Sequence, residues 1–229
     1  MNRMIIANLL ISALLFFSCE KEARKTDISD QLLTKEILES SFIKLIPSVG
    51  IVLNSDSILI QKTHLIDLQS KVDTNSLSYK LTIDEPRQIT MTTVDSPPPG
   101  YTGEYNHTPD RYFVDYLATL QFDQVTFCFY SSSEGKVPLS KNIYTENLKI
   151  SSIRVSKPLH AGLFEDLKIG DAYENIFKHF EKPSYLNQLD EIRKEINYSG
   201  VIFTIETDKT KAGDYGRIIK IEINNLGVY

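Results

Sequence analysis

Residues 167–183 read LKIGDAYENIFKHFEKP, and this stretch decides the fold that we predict. Asp171 is a residue typical of a helix N-cap, and Glu174 follows three positions later, as in a capping box. Apolar residues then recur at helical spacing: Tyr173, Ile176, Phe177 and Phe180. Pro183 disfavours helical geometry in the residue before it. The pattern therefore predicts a helix over residues 172–181.

The segments that follow this helix alternate between apolar and polar residues. After residues 184–189, which we interpret as a loop or a short second helix, the alternating apolar positions are Ile192, Ile196 and Tyr198, then Val201, Phe203 and Ile205, then Ile219, Ile221 and Ile223. Ser199-Gly200 is a compact turn signal between two of the segments. Alternation of this kind indicates an antiparallel meander with one buried face. We expect the helix to cover that face.

A weaker copy of the same pattern lies upstream. Thr63 is placed to cap a helix that carries Leu65, Leu68 and Val72 on one face. The strand patterns also correspond, with Val125, Phe127 and Phe129 matching Val201, Phe203 and Ile205, and with Ile150, Ile153 and Val155 matching Ile218, Ile221 and Ile223. We therefore predict an internal duplication. Coincidence between two amphipathic segments is the alternative.

The predicted fold class is α+β, with two tandem helix-plus-antiparallel-sheet units after a signal peptide and an N-terminal helix. The first unit covers residues 49–156 and the second covers residues 157–229. The first is longer because of an insertion at about 81–122, for which we expect two extra strands, at 81–83 and 89–91. A helix follows there, started by Thr108-Pro109-Asp110, with an apolar face made of Phe113, Tyr116, Leu117 and Leu120.

The N-terminus predicts export. Residues 1–18 carry one charge, Arg3, followed by an apolar run that is too short to span a bilayer. The segment Phe16-Phe17-Ser18-Cys19 resembles the lipobox of bacterial lipoproteins. That resemblance implies cleavage before Cys19 and attachment of lipid to its sulfur. An ordinary cleaved signal with an incidental cysteine, or an uncleaved anchor, is the alternative.

Residues 19–48 are then interpreted as a tether followed by the N-terminal helix, over residues 31–46, which Pro47 ends. Glu20 stands where the lipoprotein family's inner-membrane retention signal has an aspartate. The absence of that aspartate favours the outer membrane of the bacterial cell envelope. We therefore expect the lipid on Cys19 to hold the protein at that membrane.

Composition argues against a nucleic-acid partner and against a framework of disulfide bonds. The formal net charge of −5 gives no electrostatic basis for binding nucleic acid. Two cysteines are present, and lipidation would use Cys19. Cys128, inside an apolar segment, is then expected to be a buried structural thiol rather than a reactive nucleophile.

The second unit looks like the small α+β module of the outer-membrane lipoprotein of the barrel-assembly machinery. Tandem copies of such a module also form the secreted β-lactamase-inhibitor proteins. The residues that carry the likeness are Ile169-Gly170-Asp171, the helix, Pro183 and the three strands after it. The resemblance implies a two-layer fold that binds other proteins, and it implies no catalytic residues.

A search for catalytic and metal-binding motifs finds no HExxH, CxxC, GxSxG or phosphate-binding glycine loop. We expect no enzyme activity, no metal and no cofactor. Tyr101 and Tyr105 lie in a proline-rich loop and are candidate partner contacts, since tyrosine offers large area at low entropy cost. Packing of both tyrosines on their own domain is the alternative.

The function that these observations favour is a lipid-anchored envelope protein acting as a protein-binding or assembly module, with an unknown partner. An enzyme inhibitor or immunity protein is the first alternative, and an unrecognised hydrolase is the second. The sequence does not fix the oligomeric state.

Overall fold

A computed structural model of the chain describes residues 33–53, 56–73, 77–91, 110–135, 145–207 and 216–225. Cys19, Tyr101 and Tyr105 lie outside the described residues. In chain order the elements are α1 Lys35–Ser40, β1 Ile43–Ile46, β2 Gly50–Leu53, β3 Asp56–Leu59, α2 Leu65–Ser70, β4 Tyr79–Ile83, β5 Arg87–Met91, β6 Arg111–Phe122, β7 Val125–Glu134, β8 Lys149–Ser156, β9 Ala161–Phe164, β10 Leu167–Lys168, a 3₁₀ turn Tyr173–Asn175, α3 Ile176–His179, β11 Tyr185–Gln188, β12 Arg193–Tyr198, β13 Val201–Thr207 and β14 Gly216–Asn224.

The strands form two sheets. The small sheet has five strands in the order β10-β9-β1-β2-β3. The large sheet has nine strands, with the order β11-β12-β13-β14-β8-β7-β6-β4, and β5 also pairs with β6. Apart from the parallel pair of β1 and β9, the named strand pairs are antiparallel.

The predicted α+β class, with two tandem helix-plus-sheet units, is wrong. Strands hold 57% of the described residues and helices hold 13%. The strands predicted for the two units share one sheet, because β14 pairs with β8 through Ile221↔Val155 and Ile223↔Ile153. Period-two segments from both halves of the chain therefore bury their apolar faces in a common sheet rather than each under its own helix.

The helix predicted after Thr108 is also wrong, since residues 111–122 form the twelve-residue strand β6. Its buried residues alternate along the chain, at Val114, Tyr116, Ala118, Leu120 and Phe122. Apolar residues occupy both faces of this segment, so the helical spacing that we found is present together with the strand spacing. Tertiary pairing with β5, β4 and β7 decides between the two.

The other predicted helices are shorter than expected. In the 172–181 region only Tyr173–Asn175 and Ile176–His179 are helical, and Asp171 accepts a hydrogen bond from the backbone N–H of Lys168 instead of capping the turn. The predicted helix at 31–46 is limited to Lys35–Ser40, capped by Thr34, because residues 43–46 pair with β2 and β9. None of the described helices is long and apolar enough to cross a membrane.

Several sequence predictions are confirmed. Residues 193–198, 201–207 and 216–224 form the antiparallel meander, and residues 79–83 and 87–91 form the two extra strands. The helix after Thr63 is present as α2, with Leu65 and Leu68 buried. Thr63 itself does not cap it; its hydroxyl accepts from the backbone N–H of Leu59.

The two halves of the large sheet repeat a pairing pattern around the β8–β14 junction. Phe127 pairs with Ile153 in one half and Phe203 pairs with Ile221 in the other. The register then shifts after Cys128 in the first half and after Thr204 in the second. These pairs match the correspondence read from the sequence, and the duplication itself stays a prediction.

The core is one cluster of buried apolar side chains drawn from both sheets and from the short helices. Because side chains alternate along a strand, the large sheet has a second face, which we call the polar face. It carries Cys128, Ser152, Arg154, Thr204 and Glu222, whereas the intervening residues of the same strands belong to the core.

Candidate functional site

An ion pair lies at the centre of the polar face. The carboxylate of Glu222 on β14 accepts hydrogen bonds from Arg154 Nε at 2.8 Å and from Ser152 Oγ at 3.1 Å. The Glu222 side chain is 9% exposed and that of Arg154 is 39% exposed. Burial alone would lower the pKa of Arg154, but the hydrogen bond and the charge of Glu222 outweigh it and that pKa is raised. This hydrogen-bonded pair therefore joins β8 to β14.

A second ion pair spans β13. Lys220 Nζ on β14 lies 3.3 Å from Glu195 Oε1 on β12, and Thr204 is the register partner of both residues on the strand between them. Thr204 is buried, and its hydroxyl has no hydrogen-bond partner within the described ranges. The charged side chains in the middle of the polar face are therefore engaged with one another.

Cys128 lies on the polar face and is half-buried, as a free thiol. Burial raises the pKa of the Cys128 thiol, and a hydrogen bond with Ser152 offsets only part of that effect. A thiol with a raised pKa holds little thiolate at neutral pH and is a weak nucleophile. This cysteine is therefore unsuited to nucleophilic chemistry.

A cleft of about 480 Å³ opens on the same face, beside the turn that joins β12 to β13. The described residues that line it include Tyr185, Asn197, Gly200, Ile202, Asn224 and Asn225. Gly200 lies next to Asn224, one position beyond the pair Val201↔Ile223. The backbone carbonyl of Gly200 accepts a hydrogen bond from the N–H of Asn224 at 3.1 Å. Gly200 has a φ of 85°, a backbone conformation that glycine tolerates.

Asn224 lines the cleft although it is only 7% exposed. Its register partner on β8 is Ser152, whose hydroxyl donates instead to Glu222. No hydrogen bond to the Asn224 side-chain amide is found within the part of the chain that the structure describes. An amide that lines a cleft and has no hydrogen-bond partner in the described protein is suited to bind a ligand that supplies hydrogen bonds.

The neighbouring strand β11 forms one edge of the large sheet. Tyr185 and Leu186 on it are 60% and 61% exposed. A turn ends the strand, where the carboxylate of Asp190 accepts from the side chain of Arg193 and from the backbone N–H groups of Ile192 and Arg193. The hydrogen bond from the Arg193 side chain is the main reason that the pKa of Asp190 lies below its ordinary value.

The residues of the edge strand β11 that bond to β12 alternate with residues whose backbone groups face away from β12. Leu189 N–H donates to the carbonyl of Arg193 at 2.9 Å, in line with the register of Tyr185↔Asn197 and Asn187↔Glu195. In an antiparallel pair, hydrogen-bonded and non-hydrogen-bonded positions alternate. The odd-numbered residues of β11 therefore bond to β12, and the N–H and C=O groups of Leu186 and Gln188 point away from the sheet.

Tyr101, Tyr105 and Cys19 all lie outside the described residues. Within the described residues there is no group of three or more potential metal ligands among histidine, cysteine, aspartate and glutamate. Sequence reasoning missed Tyr185 and Leu186, because it interpreted residues 184–189 as a loop or helix, whereas Tyr185–Gln188 form the edge strand. It also missed Asn224, since no local pattern records that this residue lies beside Gly200.

Comparison with known proteins gives no relative. No protein-family model, curated protein sequence or solved structure matches the chain. The geometry of the described residues is therefore the basis for a functional proposal.

Proposed function

We propose that the chain is a lipid-anchored protein of the bacterial cell envelope that binds a partner protein by adding an extended segment of it to β11. The observation that carries this proposal is the edge strand β11, which pairs on one side only within the described residues. The backbone groups of Leu186 and Gln188 point outward there, and the side chains of Tyr185 and Leu186 are among the most exposed large hydrophobic groups of the described chain.

The composition of β11 supports binding rather than protection of the edge. Proteins commonly guard exposed edge strands with charged residues or proline. At the other side of the large sheet, β4 contains Lys80 and β5 contains Arg87. In contrast, β11 reads Tyr-Leu-Asn-Gln and carries no charge. Such an edge can accept a further strand without burying an ionised side chain.

In strand addition, the main chain of β11 would provide affinity and its side chains would provide specificity. Main-chain hydrogen bonds to Leu186 and Gln188 provide affinity that depends little on the partner's sequence. Side chains on alternate positions then meet Tyr185 and Asn187 on the polar face, and Leu186 on the other face. The partner's alternating residues would therefore set specificity.

The membrane location in this proposal is supported by the lipobox-like sequence that ends at Cys19. More than one acyl chain is needed for stable anchoring, and lipoprotein maturation supplies several. The 14 residue steps from Cys19 to Leu33 can reach at most about 50 Å when fully extended. The binding edge would thus act close to the membrane surface.

Site-directed photo-cross-linking in intact cells tests the proposal. A photoreactive phenylalanine derivative replaces Tyr185, and in a matched control it replaces Val49, which is 46% exposed and follows β1 in the small sheet. We expect a discrete protein adduct in the membrane fraction from position 185 and none from position 49. No adduct from position 185, or the same adduct from both positions, would contradict the proposal.

A further inference from the structure

We infer that the cleft beside Gly200 binds a neutral sugar, as a second site that shares Tyr185 with the strand-addition edge. No charged side chain is found among the described residues that line the cleft. Its volume of about 480 Å³ falls within the range of about 300–1,000 Å³ that is typical of small-molecule sites. A ligand that carries a net charge would find no counter-ion among these groups.

The polar groups of the cleft suit hydroxyl groups. Asn197, Asn224 and Asn225 each offer two amide donors and a carbonyl acceptor. A sugar hydroxyl both donates and accepts, so it can satisfy either end of such an amide. Asn224 is almost fully buried and has no side-chain hydrogen bond within the described residues, so its amide is fixed by packing and open to a ligand.

An aromatic surface stands at the entrance. Tyr185 is the register partner of Asn197 and projects on the same face of the sheet. Its ring is largely exposed and can pack against the C–H face of a sugar ring while its hydroxyl remains in water. An aromatic ring beside several amides matches the two faces of a sugar, one apolar and one rich in hydroxyl groups.

A bound peptide is less well matched to this cleft. The cleft lies over the face of β12, β13 and β14, and the backbone groups there are already engaged, as in the hydrogen bond from Asn224 N–H to the carbonyl of Gly200. An added peptide strand needs free backbone groups, which the described part of the large sheet offers at β11 rather than here. The side-chain amides of the cleft, rather than its backbone groups, are therefore the groups that can bind a ligand.

Nuclear magnetic resonance of the ¹⁵N-labelled full-length protein in detergent micelles tests the inference. The side-chain amide signals of Asn197 and Asn224 are followed during titration with glucose, galactose and N-acetylglucosamine. Glucuronate serves as the charged comparison and a Gly-Ser-Gly tripeptide as the peptide comparison. We expect at least one neutral sugar to shift both signals with saturation, and glucuronate to bind more weakly.

Variants separate this site from the edge. Asn197→Ala should weaken sugar binding by about tenfold or more, the equivalent of losing one hydrogen-bonding group. Tyr185→Phe should retain binding and Tyr185→Ala should lose it, because only the second removes the ring. Leu186→Pro, which blocks strand addition, should leave sugar binding unchanged. The inference is overturned if no neutral sugar shifts the two amide signals, or if the tripeptide shifts them more strongly than any sugar does.

Discussion

Replacing Arg154 with methionine should destabilise the protein by about 2 kcal/mol. The change keeps an apolar stem over the sheet but removes the donor to Glu222, whose side chain is 9% exposed. Breaking a fully buried ion pair from one side costs about 3–5 kcal/mol, whereas an exposed pair contributes about 0–1 kcal/mol. Arg154 is 39% exposed, so water can partly solvate the remaining carboxylate and the cost lies between these limits.

Urea unfolding at neutral pH measures this effect. Glu222→Gln keeps a group that can accept from Ser152, and the double variant should be less destabilised than the sum of the two single variants by about 1 kcal/mol. Arg111, which pairs with Glu134 at 3.3 Å with both side chains mostly exposed, provides the control. Arg111→Met should change stability by about 0.5 kcal/mol or less. A loss at Arg154 no larger than that of the control, without coupling to Glu222, would refute the reasoning.

Three further outcomes are expected. Since burial raises the pKa of Cys128 above the ordinary 9.0, iodoacetamide should alkylate this thiol more slowly at pH 9 than it alkylates a free cysteine. The stability that the protonated thiol contributes should fall as the pH rises above 9, because the unfolded state loses the proton first. Equal alkylation rates in the native state and in urea would count against this prediction. Radiolabelled palmitate should enter the wild-type protein but not a Cys19→Ser variant, and an unlabelled wild-type protein would rule out the anchor. Phe203→Ala in the buried centre of β13 should cost about 3–5 kcal/mol in the same unfolding assay, and a loss below about 1 kcal/mol would mean that this ring is not in the core.

The meander of β12, β13 and β14 could be predicted from the sequence because its signals agree. Apolar residues alternate with polar residues along most of these segments, and Ser199-Gly200 separates two of them. In β6 the signals conflict, since Phe113 and Leu117 on one face accompany the buried alternating set on the other. Pairing with strands distant in sequence then decides the structure, and no local pattern records it.

The candidate site was not predictable for a related reason. Whether Tyr185 and Leu186 are exposed depends on β11 being the last strand of its sheet, which is a property of strand order. The cleft depends on Gly200 standing beside Asn224 on the neighbouring strand, and on Ser152 donating to Glu222 instead. Each of these relations joins residues that are far apart in the chain.

The most direct test of strand addition compares two substitutions at Leu186 for binding to the partner captured at Tyr185. Leu186→Ala removes the exposed side chain but keeps the outward N–H, whereas Leu186→Pro removes that N–H and leaves the bonds between β11 and β12 in place. Both variants should unfold at the wild-type urea concentration within error. We predict that the proline variant loses binding while the alanine variant retains most of it. Wild-type affinity in a folded proline variant would contradict the account.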